Sequence, residues 1–151
     1  MEGACGRICR LINCYAKDCM KRFAIAYFVS GAVFVAIDLL WLAFVMSKLF
    51  KAQMPQLILE QPKLAPAAAF YLLYPIGIAA FGVLPASDWV RAVAMSALFG
   101  FLAYVTYELT NLATLRGWSA QIALMDIAWG AALSAVAGAA GYFAARFWAE
   151  R

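Results

Sequence analysis

Apolar residues fall into four long runs separated by short stretches that carry most of the Lys, Arg, Pro and Gln. Each run holds at most one acid and has no Lys or Arg near its centre, so none offers the polar face that a helix on a soluble domain needs. The pattern is that of membrane-spanning helices. It predicts spans over residues 23–46, 65–83, 91–115 and 120–147. At about 1.5 Å per residue the first of these crosses a ~30 Å hydrocarbon core with some tilt. The links at Pro85, Ser87 and Asp88 and at Arg116-Gly117-Trp118-Ser119 are short. Short links make antiparallel neighbours, so the expected fold is an all-α integral membrane protein, a four-transmembrane-helix up-down bundle.

The longer connection, with Lys48, Lys51, Gln53, Pro55, Glu60, Pro62 and Lys63, is polar except for Gln56-Leu57-Ile58-Leu59, which is expected to lie in the membrane interface. Pro75 falls inside the second span, where it kinks the helix and frees a backbone carbonyl that must find another partner.

Composition sharpens this picture. Of 151 residues 67% are hydrophobic, far above the roughly 45–50% of a soluble domain. The net charge of +4 resides in loops and ends, as the basic flanks of spans do, and implies no nucleic-acid partner. There is no histidine, which removes the usual ligand of haem and catalytic zinc and any imidazole chemistry. No cofactor is expected.

Residues 1–22 differ from the rest. Cys5, Cys9, Cys14 and Cys19 lie among Arg7, Arg10, Lys17, Lys21 and Arg22. Their spacing lacks the close cysteine pair of a metal motif, so the stretch reads as a mobile basic leader rather than a metal site. Met20-Lys21-Arg22 followed at once by an apolar run has the form of a natural start, which would make residues 1–19 an extension. With the N-terminus inside, Arg7, Arg10, Lys17, Lys21, Arg22, Arg91, Arg146 and Arg151 face the cytoplasm, against Lys48, Lys51, Lys63 and Arg116 outside. Eight against four places both ends in the cytoplasm; a start at Met20 reduces this to five against four.

The chemistry lies in three acids set in otherwise apolar spans: Asp38, Glu108 and Asp126. An ionised side chain at mid-membrane costs at least ~2.5–3.5 kcal/mol. Counted along their helices, all three lie ~9–12 Å below the same outer surface, and Tyr71 and Tyr74 of the second span reach that depth too. Every helix therefore delivers a polar group to one layer. On the third helix Tyr104, Glu108, Asn111 and Leu115 form one stripe, widened by Tyr107, with Thr110 nearby. On the fourth, Asp126 is followed by Gly130, Ser134 and Gly138 at intervals of four, small residues that let a neighbouring helix come close. No Lys or Arg lies at that depth, so at least one of the three acids is expected to be neutral at pH 7. Trp41, Trp118 and Trp148 read as interface anchors or packing; Trp129, one turn past Asp126, is a candidate for the site. The candidate ligand-binding or proton-handling set is thus Asp38, Tyr71, Tyr74, Tyr104, Tyr107, Glu108, Thr110, Asn111, Asp126 and Trp129, with no metal ligands and no catalytic assignment.

Asp38-Leu39-Leu40-Trp41, Phe70-Tyr71-Leu72-Leu73-Tyr74 with Pro85, the stretch from Tyr104 to Trp118 including Tyr107-Glu108-Leu109-Thr110-Asn111, and Asp126-Ile127-Ala128-Trp129-Gly130 together resemble a bacterial family of predicted small membrane proteins, the domain of unknown function 2177. The resemblance covers nearly all of residues 20–148; the family pattern has aspartate where this chain has Glu108, one methylene longer. It implies a four-helix inner-membrane protein and brings no activity.

The residues alone leave several functions open. A pocket in the outer half of the bundle would bind a lipid, quinone or isoprenoid, with Tyr rings along its body and the acids at its polar end. Alternatively the acids form a structural network in an accessory or assembly subunit of a membrane complex, or serve a proton-coupled transporter, for which four helices would need to pair as a homodimer. An enzyme limited to carboxyl proton transfer is the weakest expectation. The partners implied are membrane lipids, a hydrophobic small molecule, and a second copy or membrane-complex subunit.

Overall fold

The computed structural model describes the backbone of residues 2–53, 55–57, 61 and 63–149 and the side chains of residues 17–53, 55–56, 61 and 63–148. The side chains of Cys5, Cys9 and Cys14, together with Ile58, Leu59, Glu60 and Pro62, lie outside the described residues. The chain is all helical: α1 spans Glu2–Trp41, α2 Ser47–Gln53, α3 Leu64–Gly77, α4 Trp89–Thr114 and α5 Ala120–Ala149. Two π-helical turns extend this set, Leu42–Met46 joining α1 to α2 and Ile78–Val83 prolonging α3. Four helical segments are long and apolar enough to cross a membrane: Lys17–Gln53, Leu64–Val83, Trp89–Thr114 and Ala120–Trp148. The expected spans are therefore found, with two differences at the ends of the first. It continues outward through Ser47–Gln53, a stretch whose charges suggested a connection. The leader read as mobile has a helical backbone from Glu2 onward, continuous with the span.

Helix faces follow the period of 3.6. On α1 the buried positions are Ala26, Ser30, Phe34 and Asp38, and on α4 they are Ala92, Ser96, Gly100 and Glu108. Each is a single stripe at intervals of four or eight. The opposite faces expose Phe28, Phe44, Leu72, Phe81, Leu102 and Phe143, a surface that hydrocarbon tolerates and water does not.

Helix α5 is the centre. It packs along α4 on one side and along α1 on the other, while the π turn Ile78–Val83 of the second span reaches α4, α5 and α1. Lipid is as apolar as a leucine side chain, so close contact and hydrogen bonds hold such helices together, not the hydrophobic effect. The contact is close where α4 crosses α5. A Cβ built on Gly100 would lie 2.3 Å from the Gly130 carbonyl oxygen, and one on Gly138 would lie 2.0 Å from Ser96 Oγ. The stripe Gly130, Ser134 and Gly138 is the packing surface its spacing implied.

Pro75 is buried against Gly31, with Pro75 Cγ only 3.2 Å from where a Gly31 Cβ would stand. The Tyr27 hydroxyl of α1 donates to the Leu72 carbonyl at 3.0 Å, one residue along from the carbonyl that proline orphans. At the other end of the turn, Asp88 caps α4, its Oδ1 accepting from the Arg91 backbone N–H at 2.9 Å and its Oδ2 from the Ser87 hydroxyl at 2.8 Å. These two donors, the Arg91 N–H first, hold the Asp88 carboxyl below its ordinary range. A depressed carboxylate stabilises the fold above its unfolded value of about 4 and ceases to do so as pH falls through the lowered folded value. Asp88→Ala is accordingly expected to lower the melting temperature at pH 7, and thermal melts repeated in strong acid should show the two proteins converging.

Candidate ligand site in the acid layer

The three acids stand on three helices, and their donors come from α3, from α5 and from the link between α4 and α5. Asp38, on the buried stripe of α1, accepts from the Tyr71 hydroxyl of α3 at 2.9 Å through Oδ2 and from the Trp129 indole N–H of α5 at 3.2 Å through Oδ1. One carboxyl thus ties three spans. Trp129 is held flat against Trp41, the rings 4.1 Å apart and 9° from parallel.

Glu108 of α4 is fully buried. Its Oε2 accepts from the Trp118 indole N–H at 2.6 Å, and its Oε1 is buried without a partner. Asp126 of α5 faces it, carboxyl against carboxyl, and lies near enough to Asp38 for the charges to act on one another. The three acids, set on three helices, thus stand as near neighbours inside the bundle.

In front of this layer is a cavity of about 490 Å³. It exists because the first part of the second span, α3, stands away from α4, while the π turn beyond it packs closely on α4. At the cavity floor the two helices meet through rings, Tyr74 lying 5.2 Å from Phe99 and 6.2 Å from Tyr104, with Gly77 close against the Phe99 ring and the Tyr74 hydroxyl pairing with Ser134 Oγ of α5 at 2.9 Å. One wall is the stripe Ala67, Phe70, Tyr71 and Tyr74, at helical spacing on α3; the facing wall is Ala103, Tyr104 and Tyr107 of α4. Asp38 and Asp126 form the back, and Leu42, Met46 and Phe50 come over from the π turn and α2. A small second core of Met46, Ile122, Phe50 and Trp118 lies at the end of the bundle where α4 links to α5. Tyr104 keeps its place because Gly130 offers no side chain, a Cβ there lying 2.2 Å from the Tyr104 ring.

Of the residues expected at the site, Asp38, Tyr71, Tyr74, Tyr104, Tyr107 and Asp126 line the cavity, Glu108 stands behind Asp126, and Trp129 holds Asp38. Asn111 is half-buried, its Nδ2 without a partner. Thr110 is a correction. It is exposed and its hydroxyl donates back to the Thr106 carbonyl at 2.6 Å, as Thr106 and Thr114 do on the same face. Trp118 is another: read as an anchor, it is the donor to the most buried acid. Trp41 likewise belongs behind the site as the platform for Trp129, whereas Trp148 is exposed. Phe70 was legible in principle, because it extends the Tyr71 and Tyr74 stripe by one turn; Met46, the last residue of the expected first span, carries no polar mark to set it apart, and Phe50 was not legible, because it reaches the cavity only through the helical continuation past that span. Among the described residues no group of His, Cys, Asp or Glu could hold a metal ion.

A family model described as "Predicted membrane protein (DUF2177)" matches residues 23–143. No curated protein and no solved structure matches the chain.

Proposed function

The chain belongs to this predicted membrane protein family, DUF2177, and we propose that it binds an amphipathic, lipid-like molecule in the outer half of its bundle. The observation that carries this reading is the 490 Å³ cavity, walled by tyrosine and phenylalanine rings with two carboxyls at its back. Apolar walls with a few convergent polar groups are what a small-molecule site requires. The gap between α3 and α4 gives such a molecule a sideways route from the bilayer, so that an isoprenoid, quinone or acyl chain would lie along Phe70, Tyr71 and Tyr107 with its polar end at Asp38 and Asp126. We assign the protein to the bacterial inner membrane, as the resemblance implies, with both ends cytoplasmic, an orientation that puts eight Lys and Arg inside against four outside, or five against four from a start at Met20.

The alternative is an accessory or assembly subunit in which the acids only fix helix register. It is favoured by the bonds from Tyr71 and Trp129 to Asp38 and from Trp118 to Glu108, which would hold the bundle with no ligand.

Mass spectrometry of the protein extracted in native lipid discs, wild type beside Asp126→Asn, distinguishes the two. One enriched amphipathic compound, lost from the variant, is the expected result. Bulk lipid alone from both would shift the assignment to the accessory role and the search to a protein partner.

A further inference from the structure

The polar end of the cavity has an unbalanced charge. Both oxygens of Asp38 accept hydrogen bonds from neutral donors, Tyr71 and Trp129. Asp126 meets only another carboxyl, that of Glu108, which is itself fully buried with Oε1 unpartnered. Among the described residues no Lys or Arg lines the cavity, so the chain brings no countercharge to this layer; Lys48, Lys51, Lys63 and Arg116 are all exposed at the outer ends of helices. Ring faces border the same space, and a ring face attracts a cation within about 6 Å of its centre. A bare metal ion needs a tight shell of ligands, which these acids do not form. What suits carboxyls without a cation, aromatic walls and several hundred Å³ of room is a bulky, apolar, positively charged group.

We propose that the molecule taken up in this cavity is a lipophilic organic cation, an ammonium or phosphonium whose charge sits between Asp38 and Asp126 and whose apolar body lies against Tyr71, Tyr104 and Tyr107. The inference rests on the binding reading above and narrows it to one charge class. The cation would supply the countercharge that the described residues lining the cavity lack.

The test uses two probes of nearly the same size and shape and opposite charge, tetraphenylphosphonium and tetraphenylborate, titrated by calorimetry into the full chain in a mild detergent. Tetraphenylphosphonium is expected to bind saturably and tetraphenylborate not to. Asp126→Asn should weaken the phosphonium at least about tenfold, the size of effect expected for losing one charge at close range, with helix content and melting temperature showing that the variant is folded. Equal binding of both probes would overturn the charge assignment and leave the cavity reading standing. So would binding of neither probe when a neutral amphipath co-purifies from native discs. Binding of neither, with bulk lipid alone in the discs, would remove both.

Discussion

Gly100→Ala is expected to destabilise the bundle by about 3 kcal/mol or more, at or beyond the upper end of the usual range for an overpacked core. The new methyl group would stand 2.3 Å from the carbonyl oxygen of Gly130 and 2.3 Å from Ser134 Oγ. The first of these is backbone and cannot turn aside, so α4 and α5 must separate. Separation would also pull Ser134 from the Tyr74 hydroxyl and Tyr104 from Gly130, the contacts that form the cavity floor. Reversible unfolding in mixed detergent micelles measures the loss, with Leu102→Ala on the exposed face of α4 as the comparison, expected within about 0.5 kcal/mol of wild type. A Gly100→Ala protein as stable as the Leu102→Ala one would mean that the two helices are not packed at this distance.

The second large effect concerns Trp118. Trp118→Phe takes the indole donor from the fully buried Glu108 and leaves it facing the Asp126 carboxyl; it is expected to cost about 3 kcal/mol, because breaking one partner away from a buried charged or polar group exposes its desolvation penalty. The sign of the double replacement is the sharper expectation. Trp118→Phe combined with Glu108→Leu should recover part of the loss, since the indole and the carboxyl it served are removed together while Asp126 loses the carboxyl it faces. Glu108→Gln, which keeps an acceptor for Trp118, should stay close to wild type. Additive losses in the double variant would show that Trp118 acts through packing against Phe50 and Tyr107, its ring neighbours at 6.1 and 6.0 Å, and not through the acid.

These expectations bear on function as well as stability. Glu108 has no exposure and Asp126 lines the cavity, so under the proposed binding role Asp126 would meet the ligand and Glu108 would stand behind it, with Trp118 tying the link between α4 and α5 to Glu108.

How much of this could be read along the chain depends on the kind of distance involved. The number of spans, the setting of one acid in each of three of them, and the stripe Gly130, Ser134 and Gly138 are all set by rise and period within one helix, which local sequence determines, whereas the first segment runs on past its expected end to Gln53. The same period already excludes Thr110: two residues from Glu108 is about 200° around the helix, and the structure finds it on the far face. Partners across helices are a different matter. That Asp38 would meet Tyr71 and Trp129, and Glu108 meet Trp118, depends on how each helix is rotated about its axis and how far the α4–α5 link folds inward. Neither leaves a periodic mark.

The sequence by itself thus determined a four-span helical membrane protein with one acid in each of three spans, because transfer into hydrocarbon penalises every polar residue and so makes each exception visible. The cavity was decided only by the tertiary structure. The second span carries Pro75 and a π turn after it, and the turn packs on α4 while α3 stands away from it; whether a gap between two apolar helices closes or stays open is settled by the packing of all four.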